Sequence, residues 1–188
     1  MSRSNTICRP RTARGFTAIE LMVVIAIIAI LTALAAPSFR PIIEKWRIRD
    51  AADNFTSTMY LARTEAIKRG GNIVVQKNPL TAQDCPTSTD VADWGCGWFV
   101  YLDVNGNNTF NAATDVILQK SPPLKSLFFV NKADTAYYMV DRWGKAGGLN
   151  AIGFTIAPSP AGVASPYVTT LCISSGGRIN RLEGDVTC

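Results

Sequence analysis

The pattern of hydrophobic and polar positions first marks a long apolar segment near the N-terminus. No charged residue occurs in Leu21–Ala36, and with Phe16–Ile19 added the segment reaches the roughly 20 residues that cross a bilayer as a helix. Glu20 interrupts it, and a carboxylate inside an apolar helix is costly enough to indicate a function. We therefore predict a membrane-spanning helix over residues 16–36.

Further along, apolar residues recur at steps of three and four and indicate an amphipathic helix that ends at Gly70-Gly71. These positions are Phe39, Ile42, Ile43, Trp46, Ala51, Ala52, Phe55, Met59, Ala62 and Ala66. Pro37 and Pro41 each remove a backbone donor, so we predict one long helix from Phe16 to Arg69, kinked at these prolines. Its amphipathic half, residues 37–70, should pack on a sheet through the apolar stripe.

Residues 71–188 consist of short β-branched or aromatic segments separated by Gly, Pro, Asn and Asp. The predicted strands are 72–77, 97–103, 115–119, 127–131, 136–140, 151–157, 167–173 and 178–182. Segments 78–96 and 158–166 are polar or proline-rich, and we predict surface loops there. The expected fold class is α+β, with the kinked helix packed on a mostly antiparallel sheet.

Charge is concentrated at the N-terminus. Arg3, Arg9, Arg11 and Arg14 precede Gly15 without an acid among them, which keeps the N-terminus on the cytoplasmic side of a membrane. The formal net charge of the 188-residue chain is +5, and without these four arginines it is +1. Whole-chain charge therefore gives no argument for nucleic-acid binding.

The stretch Gly15-Phe16-Thr17-Ala18-Ile19-Glu20-Leu21 resembles the processing site of type IV pilins and type II secretion pseudopilins. The resemblance implies a leader of residues 1–15, cleavage between Gly15 and Phe16 by a prepilin peptidase, and N-methylation of Phe16. It also implies that Glu20 pairs with the N-terminal amine of an adjacent subunit during assembly. The spacing of four would place Phe16 and Glu20 on one helix face. Ala18 departs from the family, which more often has Leu there.

A secretory signal peptide is the alternative interpretation of this segment. A basic region, an apolar region and Ala33-Leu34-Ala35 fit one, and cleavage after Ala35 would release a soluble exported binding domain. Glu20 within the apolar stretch, and a helical pattern that continues past Pro37, favour the pilin interpretation.

A second resemblance lies in the stretch 97–107, Gly-Trp-Phe-Val-Tyr-Leu-Asp-Val-Asn-Gly-Asn. It is similar to a strand and turn of the GspH/FimT group of minor pilins and pseudopilins. This implies a minor type IV pilin, stored in the bacterial inner membrane with a periplasmic C-terminal domain and then built into a pilus. The implied partners are other major and minor pilins, the prepilin peptidase and the inner-membrane assembly machinery. A minor pseudopilin of type II secretion is the alternative.

Cysteine usage suggests disulfides. Cys8 lies in the leader, and the remaining four, in an exported chain, allow three connectivities. We predict the pairing that closes the shortest loops, Cys85 with Cys96 and Cys172 with Cys188.

The residues offer little for catalysis. The chain has no histidine, which excludes Ser-His-Asp triads and His-based zinc sites, and it has no nucleotide-binding glycine pattern. We expect no enzyme, no metal and no cofactor. Asp103, Asn105, Asn107 and Asp115 are spaced loosely like a calcium loop, but the glycine is fourth rather than sixth, so we predict a turn.

The stretch Gly176-Gly177-Arg178-Ile179-Asn180-Arg181 is similar to the Gly-Arg-x-Arg motif with which some FimT-type pilins contact DNA. This would imply a DNA-binding uptake pilin acting through Arg178 and Arg181 on phosphates. Here two residues separate the arginines, so strand alternation would place them on opposite faces. We favour an ordinary surface hairpin and keep DNA binding as an alternative.

Overall fold

The structure, a computed structural model, describes residues 15–35, 39–79, 90–146 and 151–188. Two helices precede the strands: α1, Ala18–Ala35, and α2, Arg40–Arg69. The chain divides into two compact units, residues 1–41, which include α1, and residues 42–188, which include nearly all of α2 and every strand described.

The predicted long helix is described in two parts, α1 and α2. Pro37 belongs to residues 36–38 between them, which lie outside the described part of the chain. Pro41 is the second residue of α2. A proline in the first turn of a helix removes an N–H that has no acceptor within the helix, and its fixed φ suits the helix. Pro41 therefore begins α2 and does not kink it.

Strands form where the sequence predicts them, with ends that differ by no more than two residues. They are β1 Ile73–Lys77, β2 Trp98–Leu102, β3 Val116–Lys120, β4 Leu127–Asn131, β5 Tyr137–Val140, β6 Ile152–Pro158, β7 Thr169–Ile173 and β8 Ile179–Glu183. A short 3-10 helix, Gly162–Ala164, lies between β6 and β7.

The strands form two sheets and not the single sheet expected. One has the order β3-β2-β1-β5 and the other β4-β6-β7-β8, with four strands in each. Every pairing between neighbours is antiparallel. The fold class is α+β, as predicted, with the difference that the consecutive strands β4 and β5 belong to different sheets.

Asn131 explains why the chain changes sheet after β4. Its side chain is fully buried, and its Nδ2 donates to the carbonyl of Thr135 at 2.9 Å. Its Oδ1 accepts from the N–H of Ala133 at 2.9 Å and from the hydroxyl of Tyr138 at 2.8 Å. These bonds stabilise a tight corner instead of a hairpin, because the backbone groups that would continue pairing are bonded to one buried amide.

α2 packs on the sheets through one face. Its buried residues are Ile48, Ala51, Ala52, Phe55, Thr58, Met59, Ala62 and Ala66. At the centre, the Phe55 ring lies 5.0 Å from the rings of Trp98 and Phe129 and 4.4 Å from that of Phe154. Trp98 also donates its indole N–H to the Thr58 hydroxyl at 3.0 Å, so α2 is joined to β2 by packing and by a buried hydrogen bond.

The predicted apolar stripe is wrong at its start. Phe39, Ile42, Ile43 and Trp46 are 54%, 50%, 47% and 66% exposed. An α-helix turns about 100° per residue, so Ile42 lies about 180° from Ala51 and the two cannot face the same sheet. A spacing of three or four between apolar residues shows that neighbouring turns share a face. It does not show whether residues several turns apart lie on the same face or on opposite faces of the helix.

The loop prediction for residues 78–96 is also wrong in part. Residues 80–89 lie outside the described part, but Asn78, Trp94 and Cys96 are buried. The Asn78 side-chain amide donates to the carbonyls of Cys96, at 2.9 Å, and Ser121, at 3.2 Å. A polar asparagine can be buried here because its donors are used in bonding backbone oxygens.

Replacing Phe55 with Ala should lower the free energy of unfolding by about 3–5 kcal/mol, because it leaves a cavity among four aromatic rings. Denaturant unfolding followed by tryptophan emission measures this, since Trp94 and Trp98 lie against the ring. Tyr60→Ala is the matched control on the same helix, because the Tyr60 side chain is 48% exposed. Equal losses in the two variants would contradict the central role of Phe55.

Candidate functional site

α1 begins with a side-chain N-cap. Thr17 precedes the helix, and its Oγ1 accepts the N–H of Glu20 at 3.3 Å. The Thr17 carbonyl accepts the N–H of Leu21 at 3.2 Å, which makes Thr17 the N-cap and Glu20 the third helical residue. Thr-x-x-Glu ahead of an apolar run is a known helix-start signature. A carboxylate in the first turn also interacts favourably with the helix dipole.

Gly15 and Phe16 lie ahead of this helix in an exposed segment. Phe16 is 80% exposed, and a Cβ added at Gly15 would meet no atom within 4 Å. The spacing of four predicts that Phe16 and Glu20 share a helix face. Because α1 begins at Ala18, Phe16 lies outside the helix and the two residues do not share a face in this chain.

The body of α1 carries apolar side chains, and all those described from Ala18 to Leu34 are exposed. Its polar residue after Glu20, Thr32, donates its hydroxyl to the carbonyls of Ile28 and Ala29 at 2.9 and 3.0 Å. The hydroxyl is thus satisfied inside the helix. Within the parts of the chain that the structure covers, no helix combines the length and apolarity needed to cross a membrane.

The C-terminal segment is held by a disulfide between Cys172 and Cys188, which are 16 positions apart. Of the other predicted pair, Cys96 is buried and disulfide-bonded, and Cys85 lies outside the described residues. The pairing of Cys85 with Cys96 therefore stays a prediction.

Polar contacts hold the same segment. Asp185 accepts the Lys132 ammonium at 2.6 Å and the Thr155 hydroxyl at 2.7 Å. The Thr170 hydroxyl donates to the Gly184 carbonyl at 2.7 Å. The hydrogen bonds from Lys132 and then Thr155 lower the pKa of Asp185 below its ordinary value. The segment after β8 is thereby attached to both β6 and β7.

The two candidate DNA-binding arginines have different surroundings. The Arg181 guanidinium on β8 forms a salt bridge with Asp53 on α2. Arg178, at the turn before β8, is exposed, and its guanidinium forms no ion pair in the described part. Of the two, Arg181 is therefore already paired, whereas the Arg178 guanidinium is in no ion pair within the described part of the chain.

The Arg63 side chain of α2 lies against two turns, one at Gly144 and one at Gly177, which precedes Arg178. A Cβ added at Gly144 would lie 2.6 Å from the Arg63 side chain, and one added at Gly177 would lie 2.5 Å from its guanidinium. Gly144 and Gly177 have φ of +74° and +80°, a left-handed conformation that favours glycine. We call the exposed cations beside this contact, Arg142, Lys145 and Arg178, the basic corner; Trp143, 72% exposed, lies within it.

In the loop between β2 and β3, the aspartate side chains accept hydrogen bonds from backbone N–H groups of the same loop. Asp103 accepts backbone N–H groups of Gly106, Asn107 and Asn108, the last at 2.6 Å. Asp115 accepts those of Val104 and Asn111 at 3.1 and 2.7 Å. Among the residues described, no group of three or more Cys, Asp or Glu side chains could hold a metal. These contacts are those of a loop stabilised by its own carboxylates.

Comparison with known proteins assigns the family. The pattern of the family described as "Type II transport protein GspH" matches residues 51–177, more than half of the chain. The chain belongs to this family. The pattern described as "Prokaryotic N-terminal methylation motif" matches residues 10–36. The two together identify a type IV pilin or pseudopilin of the GspH/FimT group, as the sequence resemblance implied.

Curated relatives match mainly over part of this GspH-family chain. "Prepilin peptidase-dependent protein D" of Escherichia coli K12 is 41% identical over 31% of this chain and 40% of its own length. A "Fimbrial protein" of Pseudomonas aeruginosa is 36% identical over 39% of this chain and 47% of its own length. The chain thus spans less than half the length of these relatives.

Solved structures show the same fold. Two crystal structures of the type IV minor pilin FimU of Pseudomonas aeruginosa superpose with TM-scores of 0.53 and 0.55 at 20% identity. They cover 71% and 74% of this chain, and 91% of the FimU chain in each case. The likeness establishes the pilin fold.

Acid should release the C-terminal segment through Asp185. A folded-state pKa below the unfolded value contributes stability above the unfolded pKa, and this is lost as pH falls through the folded pKa. The stability difference between the wild type and Asp185→Asn should therefore be present at neutral pH, begin to decrease near the ordinary Asp pKa of about 4, and disappear as the pH falls through the lower pKa of the folded state. Denaturant unfolding across this range measures it.

Glu183→Gln is the control for this experiment, because Glu183 is an exposed acid of β8 without an ion pair in the described part. Its difference from the wild type should be small throughout. A difference for Asp185→Asn that does not change with pH would show that the carboxylate charge is not what attaches the segment.

Proposed function

We propose that this chain is a minor type IV pilin, a low-copy subunit that primes pilus assembly or lies near the pilus tip. The observation that carries the proposal is α1: an apolar helix with exposed side chains, directly behind an accessible Gly15-Phe16. So large an apolar surface needs a cover, which a bilayer and then neighbouring subunits would supply. The match of residues 10–36 to the methylation motif supports this interpretation.

Processing would occur between Gly15 and Phe16. A peptidase needs an extended, accessible backbone, and the open space around Gly15 supports this position. Cleavage removes the arginine-rich leader, residues 1–15, and creates an amine at Phe16, which would then be methylated. The partner for this step would be the prepilin peptidase, in keeping with the name of the Escherichia coli relative.

Glu20 would act in assembly. Before cleavage Phe16 is an ordinary peptide residue, so the carboxylate has no amine to pair with. After cleavage, the Phe16 amine of a neighbouring subunit could neutralise Glu20 in the apolar fibre core, where an unpaired carboxylate is costly. Glu20 thus favours one axial register of the subunits over others.

Residues 16–36 would hold the subunit in the inner membrane before assembly, with the leader in the cytoplasm and residues 71–188 in the periplasm. The arginines of the leader and the absence of charge from Leu21 to Ala36 support this orientation. The expected partners are other major and minor pilins and the inner-membrane assembly machinery, and no catalytic activity is assigned.

A minor pseudopilin of type II secretion is the close alternative, supported by the family description. The disulfide between Cys172 and Cys188 favours the pilus. It holds the segment after β8 on the sheet, and a fibre exposed outside the cell gains from such a covalent link.

Glu20→Gln should leave processing intact and prevent incorporation. Mass spectrometry of N-terminal peptides should find methylated Phe16 in membranes of both wild type and variant, but in sheared fibres of the wild type alone. The variant keeps the shape of the side chain and one acceptor oxygen, replaces the other oxygen with an NH₂ group, and removes the charge. A wild-type N-terminus at Ala36 would contradict the proposal, since that chain would lack both Glu20 and α1.

DNA binding is a second candidate function, favoured by one observation, the basic corner. Arg142, Lys145 and Arg178 carry no ion pair in the described part of the chain, and the exposed indole of Trp143 lies between two of them. Cations with an aromatic surface are the features that bind single strands and phosphates. Arg181 would not contribute, because Asp53 already pairs with it.

Arg178→Ala should weaken duplex DNA binding and reduce the salt slope by about one, as expected for one lost phosphate contact. Arg181→Ala is the matched control and should leave affinity nearly unchanged. Fluorescence anisotropy at several salt concentrations measures both. Equal effects of the two substitutions, or binding that does not depend on salt, would rule out this function for the basic corner.

A further inference from the structure

The first turns of α2 have an apolar surface that the fold does not use. Ile42, Ile43 and Trp46 are 50%, 47% and 66% exposed. They occupy positions i, i+1 and i+4, which share one side of a helix. We call these three residues the outer stripe.

The outer stripe lies opposite the buried face of α2. At about 100° per residue, nine residues make about two and a half turns, so Ile42 is opposite Ala51 and Trp46 is opposite Phe55. Ala51 and Phe55 are buried, at 1% and 0% exposed. Ile42 and Trp46 also line an open cavity with Tyr167 and Thr169, but the domain leaves about half or more of each stripe side chain exposed.

Cations flank the outer stripe on both sides. On a helical projection, Arg40 and Arg47 lie on one flank and Lys45 and Arg49 on the other. All four are exposed, and none forms an ion pair in the described part of the chain. Lys45 also lies 4.9 Å over the Tyr167 ring.

We propose that the outer stripe docks on the anionic headgroup layer of a lipid bilayer while the subunit is stored in the membrane. The inference rests on the proposed function, because it takes the segment before α2 to be inserted. An exposed tryptophan with aliphatic neighbours and basic flanks is the composition of helices that lie at a membrane interface. The cations would contact lipid phosphates.

The charge of this segment favours lipid over a second copy of the chain. Between Arg40 and Arg49 there are four cations and one acid, Glu44. Two such segments face to face would bring like charges together, whereas anionic headgroups neutralise them. Asp50, one turn after Trp46, ends the favourable surface, so the contact is confined to the beginning of α2.

The test uses the full chain carrying Trp143→Phe, in vesicles with and without bromine near the headgroup end of the acyl chains. Trp94 and Trp98 are 0% exposed, so Trp46 is the tryptophan that bromine can reach among those that remain. The vesicles are phosphatidylcholine alone or with about one third phosphatidylglycerol. A chain that also carries Trp46→Phe gives the background emission.

We expect bromine to reduce the Trp46 emission by roughly twofold or more in the anionic vesicles and less in the neutral ones. Lys45→Gln with Arg47→Gln and Arg49→Gln should abolish the difference between the two lipids. The charge-matched control, Lys68→Gln with Lys120→Gln and Lys125→Gln, should retain it, because Lys68 lies in the last turn of α2 and the other two lie outside α2.

Flotation of the vesicles separates the two ways in which this could fail. A chain that floats with the vesicles while Trp46 is unaffected by bromine overturns the inference and leaves the proposed function intact. A Trp46 emission that changes with protein-to-lipid ratio but not with bromine also overturns it, and assigns the stripe to a second helix. A chain that does not float contradicts the proposed function and the inference together.

Discussion

The fold depends on the burial of Phe55 between the two sheets. Its ring contacts Trp98 of β2 in one sheet, and Phe129 of β4 and Phe154 of β6 in the other. Such aromatic pairs each add about 0.5–1.5 kcal/mol beyond the area they bury. Strands from both sheets therefore contact one side chain of α2, and the sheets also contact each other directly through Trp98 and Phe129. The same orientation leaves the opposite face of α2 without a cover, which is where the outer stripe lies.

Short-range patterns were enough to locate the strands but not to assign them to sheets. β4 alternates buried and exposed residues, and β6 is buried along its whole length, and both carry the apolar and β-branched residues that indicate strands. Pairing depends on contacts distant in sequence, and the change of sheet depends on Asn131, whose buried amide forms bonds that no periodicity reveals. The prediction of one apolar stripe on α2 was wrong for a related reason. Spacing alone does not distinguish one stripe from two stripes on opposite faces of a helix.

The features of the candidate site also fall into two groups, those that short-range sequence patterns predict and those that depend on long-range contacts. The processing motif and the N-cap of α1 each involve residues that are close in sequence. The cap can be predicted from Thr17 and Glu20, three positions apart. Strand alternation placed Arg178 and Arg181 on opposite faces, but the partner of Arg181, Asp53, is 128 residues away and is set by how β8 lies along α2. The basic corner could not be predicted from the sequence either, because it depends on Arg63 lying against both Gly144 and Gly177. Long-range contacts therefore decide which arginine is available to a ligand.

The sheet edges bear on how such a subunit could assemble. An exposed edge strand invites pairing with another chain, and proteins prevent this with covers, charges and bulges. Residues 92–94 bond along β4, a bridge from Ala146 covers the end of β5, and the β2–β3 register shifts between Val100 and Tyr101. β8 carries charged Arg181 and Glu183. With each of the four edges obstructed in one of these ways, joining of subunits by strand addition is disfavoured. The exposed apolar side chains along α1 offer a different surface for assembly, which agrees with the proposal that subunits contact their neighbours through the N-terminal helix.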